Sequence, residues 1–443
     1  MEEYLKTLLE QIRCKKAWPY IRRELQEHIE DQIAENMHAG MDYEQAEKEA
    51  VRDMGDPVET GISLDRIHKP QIAWKLLLMV MLISAVGVLI HIMIARHMGE
   101  EYVSASGKYV FHVITGIAVM LLLYFLDYTL LAGHSRMIAT VLLAVCFFAA
   151  FFGYPVNGMR YYISIGGRPL SIQAFMLFYV PVYGGILYQY HGSGYKGFMK
   201  AVAWMLLPVI LVLRLPALMT AGLMLISMLV MLTMAIWKGW FTVHRKRALC
   251  VLWGSFTVLP AAALLIMYSG NRLRLYQKER IQAVISGGGY LTSELRDLLA
   301  ANKFVGNSGT AVTEILPDFN RDFILAYLSS SYGMLAAILI CCILAALIFA
   351  VFNTALRQKN QLGMVMGCGC GMVFLVSFLI NVSENLGIFP ATSSFLPFLS
   401  AGGSYTVAVY GLMGIVLSIY RYKNIYPCHA ERVKKTRMTG QNI

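Results

Sequence analysis

Charged residues are scarce in this chain, and their scarcity limits what kind of protein it is. Asp, Glu, Lys and Arg make up 15% of its 443 residues, whereas 57% are hydrophobic. A soluble domain of this length does not need so much apolar sequence. The composition therefore excludes a soluble globular protein and predicts a polytopic membrane protein.

Cysteine is also rare, and the recurring catalytic fingerprints are missing. Eight cysteines lie in apolar runs or near the predicted cytoplasmic ends, so no disulfide framework is indicated. Cys368 and Cys370 are spaced C-x-C inside an apolar run, which is too isolated a pair for a metal site. The chain has no HExxH, P-loop, GxSxG or Rossmann fingerprint in the right context, and no heptad or blade repeat. The sequence thus indicates no cofactor; a divalent cation is compatible with it but not indicated.

The N-terminal 69 residues differ from the rest in charge and pattern. They lack the apolar h-region of a signal peptide. Residues 1–70 carry a net charge of −6, from 10 Lys/Arg and 16 Asp/Glu, and the remainder carries +17, from 28 and 11. Amphipathic spacing predicts three short helices in a small cytoplasmic domain, 1–69. The run AEKEAVRDMGDP resembles the cytoplasmic prefix domains that precede some bacterial permeases.

Long apolar runs begin at Ile72, and each is close to the roughly 20 residues that cross a bilayer. The predicted spans are 72–95, 110–131, 137–155, 172–190, 198–213, 216–237, 248–269, 322–352, 362–388 and 403–420. Lys and Arg concentrate in the connections on the side of the termini, so the positive-inside rule places both termini in the cytoplasm. Such basic loops are typical of contact with anionic lipid and do not indicate nucleic-acid binding.

These spans divide the chain into three parts. The prefix domain at 1–69 is followed by a ten-span membrane domain at 70–425 and a basic cytoplasmic tail at 426–443. One outside loop is long, about 270–321, between the seventh and eighth spans. The pattern of LTSELRDLLAANKF predicts a helix inside that loop.

The hairpin between the last two spans has an unusual composition. It contains Pro390, Pro397 and a Gly-Gly-Ser, and residues 389–402 include no Lys or Arg. Irregular backbone at membrane depth is stable only where protein or a water-filled cavity surrounds it; the alternative is a short surface loop. The segment resembles the C-terminal signature of the SEDS family, the FtsW and RodA class, at Asn381, Gly387, Pro390, Thr392, Leu396, Pro397, Phe398, Ser400, Gly402, Gly403 and Ser404.

The SEDS resemblance implies both an architecture and a function. SEDS proteins have ten spans with their largest outside loop between the seventh and eighth, and they polymerise peptidoglycan from its lipid-linked precursor. The resemblance implies an all-α polytopic protein of the bacterial cytoplasmic membrane. Its implied partners are lipid II or a similar undecaprenyl-linked precursor, membrane lipid and a class B penicillin-binding protein.

A second likeness lies at the end of the long loop, in LPDFNRDFILAYLSSSYG. The family requires an Asp in this segment for glycosyl transfer, and the resemblance implies that role for Asp322. A carboxylate there can accept the proton of an attacking sugar hydroxyl, and the N-terminus of the following helix favours its ionised form. The alternative is that Asp322 only caps that helix.

A third likeness, NGMRYYISIGGRPLSIQAF, lies between the third and fourth spans. Arg160, one position away from the family's Arg, and Arg168 are candidates for binding the diphosphate, because guanidinium forms paired hydrogen bonds with phosphate oxygens. The alternative is a pair of interfacial snorkelling arginines. Tyr276-Gln277 and Gly288-Gly289 form a weaker likeness in the long loop.

The other candidate substrate-binding residues belong to the C-terminal signature segment. Glu384 is an ionisable residue at the end of a span and therefore a functional candidate, with simple surface exposure as the alternative. The complete set in this segment is Asn381, Glu384, Ser400, Gly402, Gly403 and Ser404.

The sequence also departs from the family pattern. Ser330 and Ser331 replace a Glu-Glu pair, residues 172–177 lack two charges, and Ser377 replaces a Gln. Three hypotheses follow: an active glycosyltransferase, a degenerate paralogue that binds lipid or a partner, and a flippase for the precursor.

Overall fold

The computed structural model is almost entirely helical. In chain order it contains nineteen helices and one small sheet within the described part of the chain. The described residues are 1–156, 159–165, 168–215, 217–270, 278, 282, 289–309, 312–390, 392 and 394–426. They form two compact units.

Within the described part of the chain, the first unit contains Met1–Ile72, Arg357–Met364 and residues 420–426. Four helices, one more than expected, form its N-terminal part: α1 (Glu2–Glu10), α2 (Trp18–His38), α3 (Tyr43–Asp53) and α4 (Pro57–His68). Leu5, Leu8 and Ile29 are almost fully buried between them. Tyr426 packs edge-on against Tyr20, with ring centroids 5.8 Å apart, so the C-terminal segment belongs to the same packed unit.

Asp65 ties α4 to the segment that follows α1. Its carboxylate accepts hydrogen bonds from the backbone N–H of Arg13 at 3.0 Å and from Arg13 Nε at 2.9 Å. Burial raises the pKa of Asp65, but the Arg13 donors and charge lower it by more, so the net pKa lies below the ordinary value.

We expect Asp65 to make this unit sensitive to acid. Since the folded pKa is lowered, its contribution is complete above the ordinary Asp pKa of about 3.9 and is lost as pH falls from there through the folded pKa. Because 84% of the Arg13 side chain is exposed, solvent screens the pair, and Asp65→Asn should cost only about 1 kcal/mol at neutral pH. Faster amide exchange in α1 and α4 of the full-length protein measures the loss. The exposed Asp53→Asn serves as control; equal exchange in the two variants contradicts the prediction.

The second unit contains Ala73–Leu356 and Val365–Ile419. Its chain alternates between long helices and short irregular or broken segments. The helices are α5 (Trp74–Met98), α6 (Glu100–Phe125), α7 (Tyr128–Gly133), α8 (Ser135–Phe152), α9 (Ile172–Met176), α10 (Tyr179–Gln189), α11 (Tyr195–Arg214), α12 (Leu218–Trp237), α13 (Arg245–Ser269), α14 (Tyr290–Ala301), α15 (Val312–Ile315), α16 (Ile324–Tyr332), α17 (Met334–Leu356), α18 (Gln361–Asn385) and α19 (Gly403–Arg421).

Among the described residues, nine helices are long and apolar enough to cross a membrane: α5, α6, α8, α11, α12, α13, α17, α18 and α19. The share of buried residues is highest in α12, α18 and α19, which therefore lie nearest the centre of this unit. The prediction of an all-α polytopic membrane fold is confirmed. The predicted helix in the long loop is also present, as α14.

The fourth predicted span, 172–190, is not one continuous helix. It consists of α9, a turn at 177–178 and α10. Pro181 explains the break, because in a continuous helix its ring would clash with the carbonyl of residue 177, whereas it is tolerated in the first turn of a new helix. Every residue from Tyr179 to Leu187 is buried. The interrupted segment is thus surrounded by protein, as a broken helix at membrane depth requires.

The eighth predicted span, 322–352, is also divided. Gly333 separates α16 from α17 and has a φ of +99°, a conformation that favours glycine. At this point the backbone pairs with the incoming loop: Met334 N–H donates to the carbonyl of Lys303 at 3.0 Å. The membrane-crossing helix is therefore α17 alone, and α16 is a short separate helix that follows Asp322.

A small antiparallel sheet connects α8 to α9, in a segment for which the sequence predicted no strands. Its strands are β1 (Tyr154–Val156), β2 (Met159–Ile165) and β3 (Arg168–Ser171), in that order. Aromatic and β-branched residues in β2 favour a strand. The intervening dipeptides Asn157-Gly158 and Gly166-Gly167 are typical of two-residue hairpin connections.

Candidate functional site

Asp322 occupies the turn that leads into α16 and is partly exposed. The cap position of that helix is Phe323, one residue later than the capping alternative requires. The Asp322 side chain therefore stands at the positive end of the α16 dipole without being its N-cap, a location that favours a carboxylate anion. Its backbone carbonyl accepts hydrogen bonds from two asparagine side chains, Asn381 Nδ2 and Asn385 Nδ2, each at 2.9 Å.

Asn385 joins α18 to the start of α16. It is 3% exposed, and its Oδ1 accepts the backbone N–H of Ala326 at 3.0 Å. Ala326 is in the first turn of α16, where backbone N–H groups have no partner within the helix. Asn385 therefore supplies a cap from another helix, and the same side chain holds the Asp322 carbonyl. Asn381 lies one turn earlier on the same face, as residues four apart do.

Glu384 is fully buried and binds the hairpin that follows α18. Its Oε1 accepts hydrogen bonds from the backbone N–H of Thr392, at 2.9 Å, and from the Thr392 hydroxyl. Its Oε2 accepts a hydrogen bond from the Ser394 hydroxyl, and Asn381 Nδ2 donates to Ser394 at 3.1 Å. In this conformation Glu384 contacts the hairpin instead of open space.

Helices α5 and α6 form hydrogen bonds with the hairpin at Phe398 and Leu399. Tyr109 OH donates to the carbonyl of Phe398 at 2.7 Å, and His91 Nε2 lies 3.0 Å from the carbonyl of Leu399, so this nitrogen is the donor. Phe398 has a φ of +67°, which is uncommon for a residue with a side chain. These two hydrogen bonds hold the backbone in that conformation.

The hairpin is also bonded directly to the segment that carries Asp322. Ser400 Oγ donates to the carbonyl of Arg321 at 2.6 Å and accepts the N–H of Leu396 at 2.7 Å. Arg321 Nε donates to the carbonyl of Ala401 at 2.8 Å, and Ala401 N–H donates to the carbonyl of Asn320 at 3.1 Å. The end of the hairpin next to α19 thus holds residues 320 and 321, directly before Asp322.

Tyr405, in the first turn of α19, brings a third region to the site. Its hydroxyl donates to Gln173 Oε1 at 3.2 Å and lies 3.2 Å from Thr220 Oγ1. Both Asp322 and Tyr162 of β2 interact with it electrostatically. The Asp322 segment, the sheet and the start of α19 therefore converge around one tyrosine.

The remaining predicted site residues lie in the small sheet and at the start of α19. Ser404 Oγ accepts the N–H of Ser171 at 2.9 Å, which anchors β3 to α19. Arg160 and Arg168 belong to β2 and β3, while their side chains lie outside the described part. Gly403 permits close packing, because a Cβ there would be 2.6 Å from His112 Nε2.

Some elements of the sequence motifs lie outside the described residues. These are Asn157, Gly158, Gly166, Tyr276, Gln277 and Gly288. Gly402 is partly exposed beside Tyr405.

Sequence reasoning missed Asn385, Gln173 and Tyr405. The spacing of Asn385 four residues after Asn381 was a usable signal, since it predicts a shared helix face. Tyr405 directly follows the Gly-Gly-Ser, but its role depends on Gln173 and Thr220, which are distant in sequence. No local pattern connects those three residues.

Removing the Glu384 carboxylate is expected to loosen the hairpin. In Glu384→Leu the buried donors of Thr392 and Ser394 lose their acceptor, and we expect about 30-fold faster amide exchange at 394–396, equivalent to about 2 kcal/mol. Glu384→Gln retains one acceptor oxygen and should show a smaller change. Equal exchange in wild type and Glu384→Leu would show that the carboxylate does not hold this segment.

The family model and the relatives that match this chain all belong to one family. A family model for FtsW, RodA and SpoVE, described as cell cycle protein, matches residues 70–425. A probable peptidoglycan glycosyltransferase FtsW from Aliivibrio salmonicida is 24% identical over 67% of this chain and 74% of its own. A second probable peptidoglycan glycosyltransferase FtsW, from Enterococcus hirae, is 30% identical over 136 residues. That alignment covers 30% of this chain and 34% of the relative.

A solved structure shares the fold. It comes from work described as "Structural coordination of polymerization and crosslinking by a peptidoglycan synthase complex". The similarity has a TM-score of 0.66 and 18% sequence identity, and it covers 79% of this chain and 98% of the other. At that identity the likeness establishes the fold alone.

Proposed function

Because the chain belongs to the FtsW, RodA and SpoVE family of cell cycle proteins, we propose that it is a peptidoglycan glycosyltransferase that polymerises lipid II. The observation that carries the proposal is the partly exposed Asp322 carboxylate at the start of α16. Asn381 and Asn385 hold its backbone carbonyl, and the Tyr405 hydroxyl lies within range of its charge. A positioned carboxylate next to a polar cluster has the properties of a general base.

In the proposed reaction Asp322 removes a proton from the acceptor sugar hydroxyl. That oxygen forms a bond to the anomeric carbon of the donor, and the bond from this carbon to the diphosphate oxygen breaks. The electron pair leaves with the lipid diphosphate, and the proton moves to the Asp322 carboxylate. Arg160 and Arg168, on the strands anchored through Ser404, bind the diphosphate by paired hydrogen bonds. The reaction needs no cofactor.

We propose that this site faces the outer side of the bacterial cytoplasmic membrane and that both termini are cytoplasmic. The distribution of Lys and Arg among the connections supports this orientation. A class B penicillin-binding protein is the proposed partner, supported by the fold shared with a component of a peptidoglycan synthase complex. Residues 1–69 act as a cytoplasmic regulatory domain, and 426–443 form the basic tail.

The test is polymerisation of lipid II by the purified full-length protein in liposomes, with and without the penicillin-binding protein. Glycan chains that lengthen with time support the proposal. Absence of chains under both conditions would refute it, provided that the protein is folded and monodisperse.

A second function is favoured by one particular contact. Ser330 replaces an acidic family residue, is 1% exposed, and bonds to Ser308 through both its carbonyl and its hydroxyl. Ser330 therefore has a structural role, and its side chain carries no charge at a position where the family has an acidic residue. That loss is expected of a paralogue that binds precursor or partner without catalysis. Retained lipid II binding without polymerisation would favour this second function.

A further inference from the structure

Two consecutive backbone carbonyls of the hairpin, those of Phe398 and Leu399, are bound by side chains that are distant in sequence. Tyr109 of α6 donates its hydroxyl to the first carbonyl at 2.7 Å, and His91 of α5 donates from Nε2 to the second at 3.0 Å. The two rings stack with their centroids 3.8 Å apart. Each side chain is only 2% exposed, so neither contacts a substrate directly, and their effect passes through the hairpin.

The packing around Tyr109 keeps its hydroxyl in this place. Gly87 lies one turn before His91 on α5, and a Cβ at Gly87 would overlap the Tyr109 hydroxyl and be 3.2 Å from the carbonyl oxygen of Phe398. Glycine therefore permits this close approach of the helix to the hairpin. The Ser106 hydroxyl of α6 donates to the carbonyl of His91 at 2.5 Å, which joins α5 and α6 at the same level. The two donors are thus held in position by their own helices.

Phe398 depends on these donors because its backbone conformation is unfavourable. Its φ of +67° lies in the left-handed region, and a residue with a side chain stays there only when its surroundings fix it. Its ring packs against Phe374 of α18 and edge-on against Tyr410 of α19, with centroids 5.8 Å and 5.2 Å away. The ring is therefore fixed by α18 and α19, and the carbonyl by Tyr109. Without the Tyr109 donor the backbone at this point can relax, and the residues that follow move with it.

The residues that follow lead directly to the candidate base. Ser400 donates its hydroxyl to the carbonyl of Arg321 at 2.6 Å, and Arg321 immediately precedes Asp322. Three consecutive hairpin residues, 398–400, therefore connect the Tyr109 hydroxyl with the backbone next to Asp322. A shift of the hairpin at this point changes where the Asp322 carboxylate lies.

We propose that His91 and Tyr109 are positioning residues for the reaction at Asp322. They hold the hairpin backbone, and the hairpin in turn holds the carboxylate at the distance from the acceptor hydroxyl that proton transfer needs. The inference rests on the proposed glycosyltransferase activity and deepens it. A displacement of about 1 Å lowers a rate about 100-fold, and the loss of one of two donors causes part of such a displacement, so we expect about a tenfold effect.

The experiment compares two Tyr→Phe variants of the full-length protein, each of which loses one buried hydroxyl. In Tyr109→Phe, kcat for lipid II polymerisation in liposomes, per folded protein, should fall about tenfold while KM stays within about twofold, because only the position of the base changes. Tyr183→Phe is the matched control. Tyr183 is fully buried, and its hydroxyl donates to the carbonyl of Ala201, outside the hairpin, at 3.1 Å. Its kcat should stay within about twofold of wild type.

Further variants separate positioning from a purely structural role. Gly87→Ala keeps Tyr109 but displaces its hydroxyl, and alanine favours the helix, so kcat should fall as in Tyr109→Phe without a loss of helix stability. His91→Gln keeps an N–H donor for the Leu399 carbonyl and should retain more of kcat than His91→Leu does. Equal kcat in Tyr109→Phe and the Tyr183→Phe control would overturn the proposal, and so would equal losses in His91→Gln and His91→Leu.

Amide exchange at Ala401 separates this inference from the proposed activity. Its N–H donates to the carbonyl of Asn320, so a displaced hairpin should exchange this proton about tenfold faster in Tyr109→Phe and at the wild-type rate in Tyr183→Phe. That result in a protein that forms no glycan chains supports the link to the Asp322 segment and refutes the glycosyltransferase. Polymerisation by wild type, with kcat and exchange both unchanged in Tyr109→Phe, supports the glycosyltransferase and refutes the positioning role.

Discussion

Asp322→Asn is expected to abolish glycan chain formation while leaving the protein folded. Asparagine keeps the size of the side chain and the backbone carbonyl that Asn381 and Asn385 hold, but it cannot accept the proton of the attacking hydroxyl. General base catalysis contributes about 10²–10⁴-fold to rate, so the turnover of lipid II should fall by that factor. Binding of lipid II should change little, because the lost interaction belongs to the transition state.

Asp318→Asn is the matched control in the same segment. Asp318 is exposed, pairs with Arg321 at 3.6 Å and has a φ of +54°, a conformation that asparagine tolerates well. An exposed pair of this kind contributes little, so turnover should stay within about twofold of wild type. Both variants are assayed in liposomes with the proposed penicillin-binding partner. Full activity of Asp322→Asn would remove this residue from the reaction.

Asn385→Leu is expected to have the largest effect on stability and to reduce turnover as well. Leucine has a similar volume and suits the apolar surroundings that Asn385 shares with Val382 and Leu386, so the change isolates the hydrogen bonds. The buried N–H of Ala326 loses its acceptor, and the Asp322 carbonyl loses one of two donors. We expect the free energy of unfolding to fall by on the order of 3 kcal/mol.

The loss of turnover in Asn385→Leu follows from a displacement of Asp322. Without Asn385 the start of α16 is held by Asn381 alone, and a displacement of the base by about 1 Å costs about 100-fold. Detergent unfolding midpoints and amide exchange in α16 measure the first effect, and lipid II turnover measures the second. Ser383→Ala, a small change in the same turn of α18, is the control. An unchanged midpoint in Asn385→Leu would mean that the capping bond contributes nothing.

Predictability from sequence differed between the fold and the site. Apolar run length predicted the helical membrane fold, because the bilayer imposes the same length on every crossing helix. It did not predict that the fourth span, 172–190, is interrupted, although the sequence contains Pro181. Hydropathy depends on side-chain composition and carries no information on whether a helix is continuous. The sheet formed by β1, β2 and β3 was not predicted, although the strand-favouring residues of β2 are a local signal.

At the site, the motifs pointed to Asp322 and Asn381 but not to how they are held. The family resemblance suggested the role of Asp322, which stays a prediction. Glu384 was predicted as a substrate-binding residue with surface exposure as the alternative, and the structure shows it buried against Thr392 and Ser394. The proposed contacts of Arg160 remain a prediction.

The sequence by itself determined that this chain is a polytopic membrane protein of one family, because composition, run length and short motifs are local properties. Only the tertiary structure decided which polar groups meet. Asn385 reaches Ala326 across 59 positions, and Tyr405 reaches Gln173 across 232. Such pairs depend on how helices cross, and buried polar groups must find these partners since neither lipid nor the packed interior supplies them.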